Sequence, residues 1–291
     1  MHRGRFGSTP TAGLLALLAV ATGLTACEEQ KPLSDDGIEY AALGDSFTAA
    51  PYLPKSSAEG CFRSDHNYPH QVAVALSKTE DVQLRDVSCG GARTDAILQS
   101  QVQPDRVQTP QIDAVTADTD IVTLGIGVND LKYSYTAAFQ CLLFAQSDPD
   151  GAPCKKANGR KVPRLLEQIE DRVVDALGAI GNRAPDARII LVGYPLLMPD
   201  SGGCPDRFPI ARGDVGFVRE SFVGINETLE AAAREADVEY VDVAAASVGH
   251  DICSDDPWIN GKRKDRETKA APYHPTPAEQ EAVARLVLDL L

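Results

Sequence analysis

The chain has 291 residues, of which 43% are hydrophobic, 6% aromatic and 24% charged. That composition excludes a disordered or collagen-like polymer and leaves enough apolar surface for one large core. Its 28 Lys and Arg stand against 42 Asp and Glu, a net charge of −14, and a field of that sign repels phosphate backbones, so no nucleic-acid partner is expected.

At the amino end, Arg3 and Arg5 precede an apolar run over residues 13–24 (GLLALLAVATGL), too short to span a bilayer permanently, as in an export signal. The run ends in Leu24-Thr25-Ala26-Cys27, which resembles the lipobox of bacterial lipoproteins. The resemblance implies cleavage before Cys27 and a diacylglycerol on that cysteine; the alternative is an ordinary small-residue cleavage site beside a coincidental cysteine. The expected organisation is therefore a lipoprotein signal peptide over 1–26, lipidated Cys27 with a tether over 27–37, and one large domain over 38–291. The tether (EEQKPLSDDG after Cys27) is acidic and punctuated by Pro and Gly, and could hold the domain up to roughly 30 Å from a membrane. Such a protein is extracytoplasmic and anchored to the bacterial cell membrane. Because an acidic domain is repelled by anionic lipid, the anchor rather than charge is expected to hold it there.

Setting Cys27 aside leaves Cys61, Cys89, Cys141, Cys154, Cys204 and Cys253, an even set suited to an oxidising exterior. Many pairings are open to six cysteines. The sequential one, Cys61–Cys89, Cys141–Cys154 and Cys204–Cys253, is expected because each bridge closes a loop beside one segment. The close cysteine pairs of a zinc site are missing from the sequence, and neither a metal nor a cofactor is expected.

From residue 38 onward, short apolar runs over 38–43, 82–87, 121–126, 188–194 and 238–243 read as strands. Between them, Leu165, Leu166, Ile169, Val173, Ala176, Leu177 and Ile180 recur at helical spacing, as do Val218, Phe222, Ile225, Leu229 and Ala232. A last helix opens on Thr276-Pro277-Ala278-Glu279, a capping box with proline in the first turn, and continues through Val283, Leu286, Val287 and Leu290. Strands alternating with helices imply a parallel sheet covered on both faces. The stretches 51–68, 147–161, 198–214 and 247–273 read as long loops, and no repeat or composition break marks a second domain.

In open α/β sheets, ligands bind outside the carboxyl ends of the strands. The first strand runs there into Gly44-Asp45-Ser46, the second into Cys89-Gly90-Gly91-Ala92 and the third into Gly127-Val128-Asn129-Asp130. A serine on a tight strand-to-helix turn, a glycine whose N–H points at a ligand and an asparagine amide make a nucleophile with an oxyanion hole. The serine needs a base. His2 falls in the export signal, and His66 and His70 share a loop around Pro69, so both are read as structural. His274, between Tyr273 and Pro275 and just before the capped last helix, is where a base could be held over the strand ends.

Gly44-Asp45-Ser46-Phe47, Gly91, Gly127-Val128-Asn129-Asp130 and His274, in that order, resemble the four blocks of the SGNH (GDSL) hydrolases. The resemblance spans about residues 38–291. The six cysteines and Asp256-Pro257-Trp258-Ile259-Asn260-Gly261 look like the family's secreted bacterial lipase and esterase branch. It implies an α/β, three-layer flavodoxin-like (SGNH hydrolase) fold with a five-stranded parallel sheet in order 2-1-3-4-5. It also implies a carboxylic ester hydrolase with Ser46 as nucleophile, His274 as base, and an oxyanion hole of the Ser46 and Gly91 N–H groups and the Asn129 side chain. Phe47 replaces the eponymous leucine, and Gly90 stands where many relatives carry serine. Where the family often has Asp three residues before His, this chain has Ala271; in the branch it is similar to, a main-chain carbonyl takes over, so the carbonyl of Ala271 is expected to accept the Nδ1 proton of His274. Asp255 or Asp256 as a third catalytic member is the alternative.

Other motifs carry less. Gly125-Ile126-Gly127 lacks the third glycine of a dinucleotide loop, Ser46 lacks the second glycine of the G-x-S-x-G elbow, and Asn226-Glu227-Thr228 is a glycosylation sequon inside a helical pattern. The expected function is a lipid-anchored serine esterase or lipase, a monomer whose partner is an ester, lipid or acylated glycan. The same site could serve an envelope O-acyltransferase or glycan deacylase, and a surface solute-binding lipoprotein is the reading outside enzymes.

Overall fold

In a computed structural model, which describes Met1, residues 37–54 and residues 60–291, the apolar runs form strands β1 (Ile38–Gly44), β2 (Val82–Asp86), β5 (Ile121–Gly125), β6 (Arg188–Val192) and β7 (Glu239–Val241). The signal peptide, Cys27 and tether residues 28–36 lie outside the described residues. Among those described, no helix is long and apolar enough to cross a membrane. The five strands make one parallel sheet in the order β2-β1-β5-β6-β7, which counted within the sheet is the expected 2-1-3-4-5. The numbering skips because a short antiparallel hairpin, β3 (Gln101–Val102) with β4 (Val107–Gln108), intervenes. The sequence gives no sign of it, since two-residue strands carry no periodicity.

Burial explains the layers. In β1, Ala41 and Leu43 face one core and Tyr40 and Ala42 the other, the period of two that a strand imposes. On the first face helices Val162–Arg183 and Val215–Glu235 cover the sheet with Ile169, Val173, Leu177, Ile225 and Leu229. On the second, helices Tyr68–Leu76 and Pro277–Leu290 supply Val72, Val283 and Val287. The last helix is capped by Thr276, whose side chain accepts from Glu279 N–H at 3.5 Å, but the reciprocal arm of the expected box is not formed. Thr276 N–H donates instead to the Trp258 carbonyl at 2.9 Å, and Glu279 Oε2 accepts from Gln280 Nε2. The disulfides Cys61–Cys89, Cys141–Cys154 and Cys204–Cys253 follow the sequential pairing. Part of the expected loop 147–161 is instead helix Pro153–Asn158, docked by Asp214, whose carboxylate accepts from the N–H groups of Cys154 (3.0 Å) and Lys155 (2.8 Å).

Candidate active site

The turn after β1 is built by close approach. Gly44 has φ +154°, and a Cβ there would stand 2.3 Å from Thr48 Oγ1 and 2.7 Å from the Gly125 carbonyl, so only glycine fits. Its backbone is completed by a side chain: Gln111 Oε1 accepts from Gly44 N–H at 2.7 Å and Gln111 Nε2 donates to the Gly44 carbonyl at 2.9 Å. Asp45 then caps the short helix Ser46–Ala49, accepting from Phe47 N–H at 2.8 Å, which sets Ser46 as its first residue, 7% exposed.

The other two turns close on this one. Cys89 N–H donates to the Gly44 carbonyl at 3.0 Å, and the Cys61–Cys89 bridge holds the following Gly90–Gly91. Gly91 has φ +73° and open space where a side chain would be. Asn129 Nδ2 donates to the Ala92 carbonyl at 3.1 Å and reaches Asp45 Oδ2 at 3.5 Å, touching both neighbouring turns. Among the described residues, the N–H groups of Ser46 and Gly91 have no hydrogen-bond partner. The expected oxyanion donors, Ser46, Gly91 and Asn129, therefore converge, two of them with nothing to satisfy them.

His274 comes to the same edge from the last loop. Its ring centroid is 6.2 Å from that of Phe47, and Gln280, six residues on, donates to the Phe47 carbonyl at 2.9 Å and accepts from Tyr68 N–H at 2.7 Å. Nδ1 lies 2.8 Å from a main-chain carbonyl, that of Pro272. This corrects the expectation of Ala271, whose carbonyl instead accepts from the His274 N–H (3.3 Å) and from Asn260 Nδ2 (3.0 Å). Tyr273 takes a left-handed φ of +61°, which turns the chain so that the carbonyl two residues back, not three, meets the ring. Asp256 does not serve as a third member: its carbonyl lies 2.8 Å from His250 Nδ1 and its carboxylate 3.4 Å from the same atom. A carbonyl can only accept, so Nδ1 carries the proton and the lone pair of a neutral His274 is on Nε2. Burial holds the ring's pKa below its usual value, opposed by the Pro272 bond, which favours an uncharged base at neutral pH.

Of the other histidines, His70 Nδ1 sits 2.7 Å from Asn67 Oδ1 and His66 Nδ1 2.7 Å from Asp65 Oδ1. Asn67 in turn donates to the Thr48 carbonyl at 3.0 Å and to Asp86 at 2.6 Å. Both histidines belong to scaffolding, as expected.

Residues 42–282 match the sequence model of the GDSL-like Lipase/Acylhydrolase family. The chain belongs to that family. This GDSL-like protein is 33% identical over 295 residues to Lipase 2 of Streptomyces coelicolor, covering 97% of this chain and 96% of that one. It is 29% identical to a lipase of Streptomyces rimosus, over 95% of this chain and 94% of the relative. Among solved structures, the extracellular lipase from Streptomyces rimosus superposes with a TM-score of 0.72 at 23% identity, covering 88% of this chain and 100% of that one. The phospholipase A1 from Streptomyces albidoflavus NA297 superposes at 0.70 with 24% identity, covering 87% and 99%. The GDSL-like protein is thus a carboxylic ester hydrolase on the three-layer SGNH fold.

Two site residues of the GDSL-like domain escaped the sequence reading. Tyr194, after β6 and fully buried, donates from its hydroxyl to Asp45 Oδ2 at 2.7 Å and accepts from Val128 N–H at 3.3 Å. Gln111 is the other; a lone glutamine before a loop gives no pattern to read. Asn260 had a signal in the Trp258-Ile259-Asn260 segment: it lies beside His274, with its N–H on the His274 carbonyl at 2.9 Å.

Proposed function

We propose that Ser46 is the nucleophile of an exported esterase or lipase and His274 its general base. The observation that carries the reading is the pair of unpartnered N–H groups, Ser46 and Gly91, flanking an asparagine amide that touches both turns. His274 takes the Ser46 proton as Oγ attacks the ester carbonyl. The Ser46 and Gly91 N–H groups and the Asn129 amide receive the developing oxyanion. His274 returns the proton to the leaving alkoxide, and water, deprotonated by the same base, releases the acid from the acyl-enzyme. A neutral carbonyl orients the imidazole but stabilises its charged form less than a carboxylate would; the Pro272 carbonyl is assigned that duty here.

The substrate class proposed is a lipid ester, in keeping with the relatives named as lipases and the neighbour named as a phospholipase A1. Residues 1–26 are proposed as the export signal, Cys27 as the lipidated anchor and 38–291 as a catalytic domain acting as a monomer. The test is labelling of the protein with a fluorophosphonate and location of the modified peptide. Ser46 should be labelled in the parent chain, while Ser46→Ala and His274→Ala should both be silent. Asn129→Ala should lose on the order of a hundredfold in kcat on a purified ester. Full label in His274→Ala, or full turnover in Asn129→Ala, would refute the corresponding role.

A further inference from the structure

The segment before the base reads Lys262-Arg263-Lys264-Asp265-Arg266-Glu267-Thr268-Lys269, five cations in a chain whose net charge is −14. Arg263, Lys264, Arg266 and Lys269 are exposed. None of the five is ion-paired with a carboxylate among the described residues. Asp265 has its Oδ1 accepting from the N–H groups of Glu267 (2.9 Å) and Thr268 (2.6 Å), and its charge is felt by Lys269. Together with the exposed Glu267 it offsets two of the five positive charges, leaving the strap at +3. The cations stand beside exposed aromatics: Lys264 Nζ lies 4.6 Å from the ring centroid of Tyr52, which lies 5.0 Å from that of Phe62. Tyr52 is 41% and Phe62 37% exposed.

This strap belongs to the rim of the site. Ala270 at its end packs with Ala50 and Leu53 in a small buried cluster, and Ala50 is the residue that caps the Ser46 helix. Four residues after Ala270 comes His274. A basic and aromatic surface thus borders both the nucleophile turn and the base, while the excess of acid is distributed over the rest of the chain.

We propose that Tyr52, Phe62 and the strap 262–269 form the face by which the protein docks on an anionic lipid surface, bringing the rim of the active site against it. The proposal rests on the reading of Ser46 and His274 as that site. Aromatic side chains settle at the headgroup level of a bilayer, and cations near an anionic leaflet are attracted individually. Charges more than a Debye length of about 10 Å from the contact are largely screened. Net charge therefore describes the far field, and the strap the contact. On this proposal the domain is repelled by anionic lipid on most sides and attracted by one rim.

The test compares sedimentation of the purified full chain with vesicles of phosphatidylcholine alone and of phosphatidylcholine mixed with phosphatidylglycerol. Every comparison is between a variant and the unaltered chain, so whatever residues 1–36 contribute is common to both. The unaltered chain should favour the mixed vesicles. The triple variant Arg263→Glu, Lys264→Glu, Arg266→Glu should lose that preference, with partition weakened about fivefold per cation and so on the order of a hundredfold together, while its turnover of a short water-soluble ester stays unchanged. Tyr52→Ser with Phe62→Ser should weaken binding to both kinds of vesicle. Equal partition of parent and triple variant, no preference in the parent, retention on dextran sulfate without vesicle binding, or a matching loss on the soluble ester would each overturn the proposal. Ser46→Ala should sediment like the parent, so failure of the catalytic reading and failure of the docking reading are separately visible.

Discussion

Asn129 has two amide hydrogens, one on the Ala92 carbonyl at 3.1 Å and one directed at Asp45 Oδ2 at 3.5 Å. The long bond is the one a substrate oxyanion can take over with least loss. Asp45 releases it easily because Oδ2 already holds the Tyr194 hydroxyl at 2.7 Å. On the proposed oxyanion role of Asn129, Tyr194 is a positioning residue that acts on the reaction through it. Tyr194→Phe should lower kcat about tenfold with KM nearly constant, the scale of one weakened oxyanion donor. In an Asn129→Ala background the same change should cost nothing more. Equal losses in the two backgrounds, measured as a double-mutant cycle, would mean that Tyr194 serves only the fold. None of this was visible beforehand. Ser46, Gly91, Asn129 and His274 each follow a strand or precede a cap and could be found by position, whereas Tyr194 is one more apolar-looking residue at the end of a buried run. The carbonyl facing His274 is hidden for a similar reason: the choice between Ala271 and Pro272 depends on the left-handed backbone of Tyr273, and no residue type announces that.

Elements were more legible than contacts. The central strands β1, β5 and β6 are buried and so apolar along most of their length, which makes their runs legible. The edge strands β2 (VQLRD) and β7 (EYV) are only partly buried and carry polar residues. The stripes Ile169–Val173–Ile180 and Phe222–Ile225–Leu229 mark the covering helices. The hairpin of β3 and β4 was invisible, being held through polar contacts such as Gln101 Nε2 on the Gly90 carbonyl at 3.0 Å. Gln111 is a further case, a side chain acting as a piece of strand at the end of β1. Its amide matches both backbone groups of Gly44, and at 3% exposure it excludes the water that would otherwise satisfy them. Gln111→Leu keeps the bulk and leaves that N–H unpaired, so the protein should lose about 2 kcal/mol of stability by denaturant titration. Gln111→Glu sets a carboxylate oxygen against the Gly44 carbonyl in a buried place with no counter-charge, and at neutral pH should cost at least as much. If Gln111→Leu unfolds at the parent's midpoint, the turn before Ser46 does not depend on this surrogate strand.

Across the whole molecule, two buried carboxyls join the first element to the last. Asp45, in the turn before Ser46, is fully buried, and its pKa is pushed up to about 7 by desolvation, against the Tyr194 and Phe47 bonds that favour the charged form. Glu279 in the final helix, 2% exposed, is pushed up to about 8 by desolvation, against the Gln280 bond, with the Asp45 charge adding to the rise. In the unfolded chain both would titrate near 4. Between that value and the folded ones, the folded state holds more protons than the unfolded state, so their contribution is complete in acid and lost as pH rises through 7 and 8. The net charge of −14 works in the same direction, because self-repulsion grows as acids ionise. One substitution separates the two causes. Glu279→Gln preserves the shape and an oxygen for the 2.6 Å bond from Gln280 Nε2, but has no proton to lose. The parent should show a Tm that falls steadily from pH 5 to pH 8.5. The variant should follow a shallower fall and overtake the parent at the alkaline end, where the parent must ionise a carboxyl it has buried. Parallel curves would assign the whole slope to surface charge and leave Glu279 without a part in it.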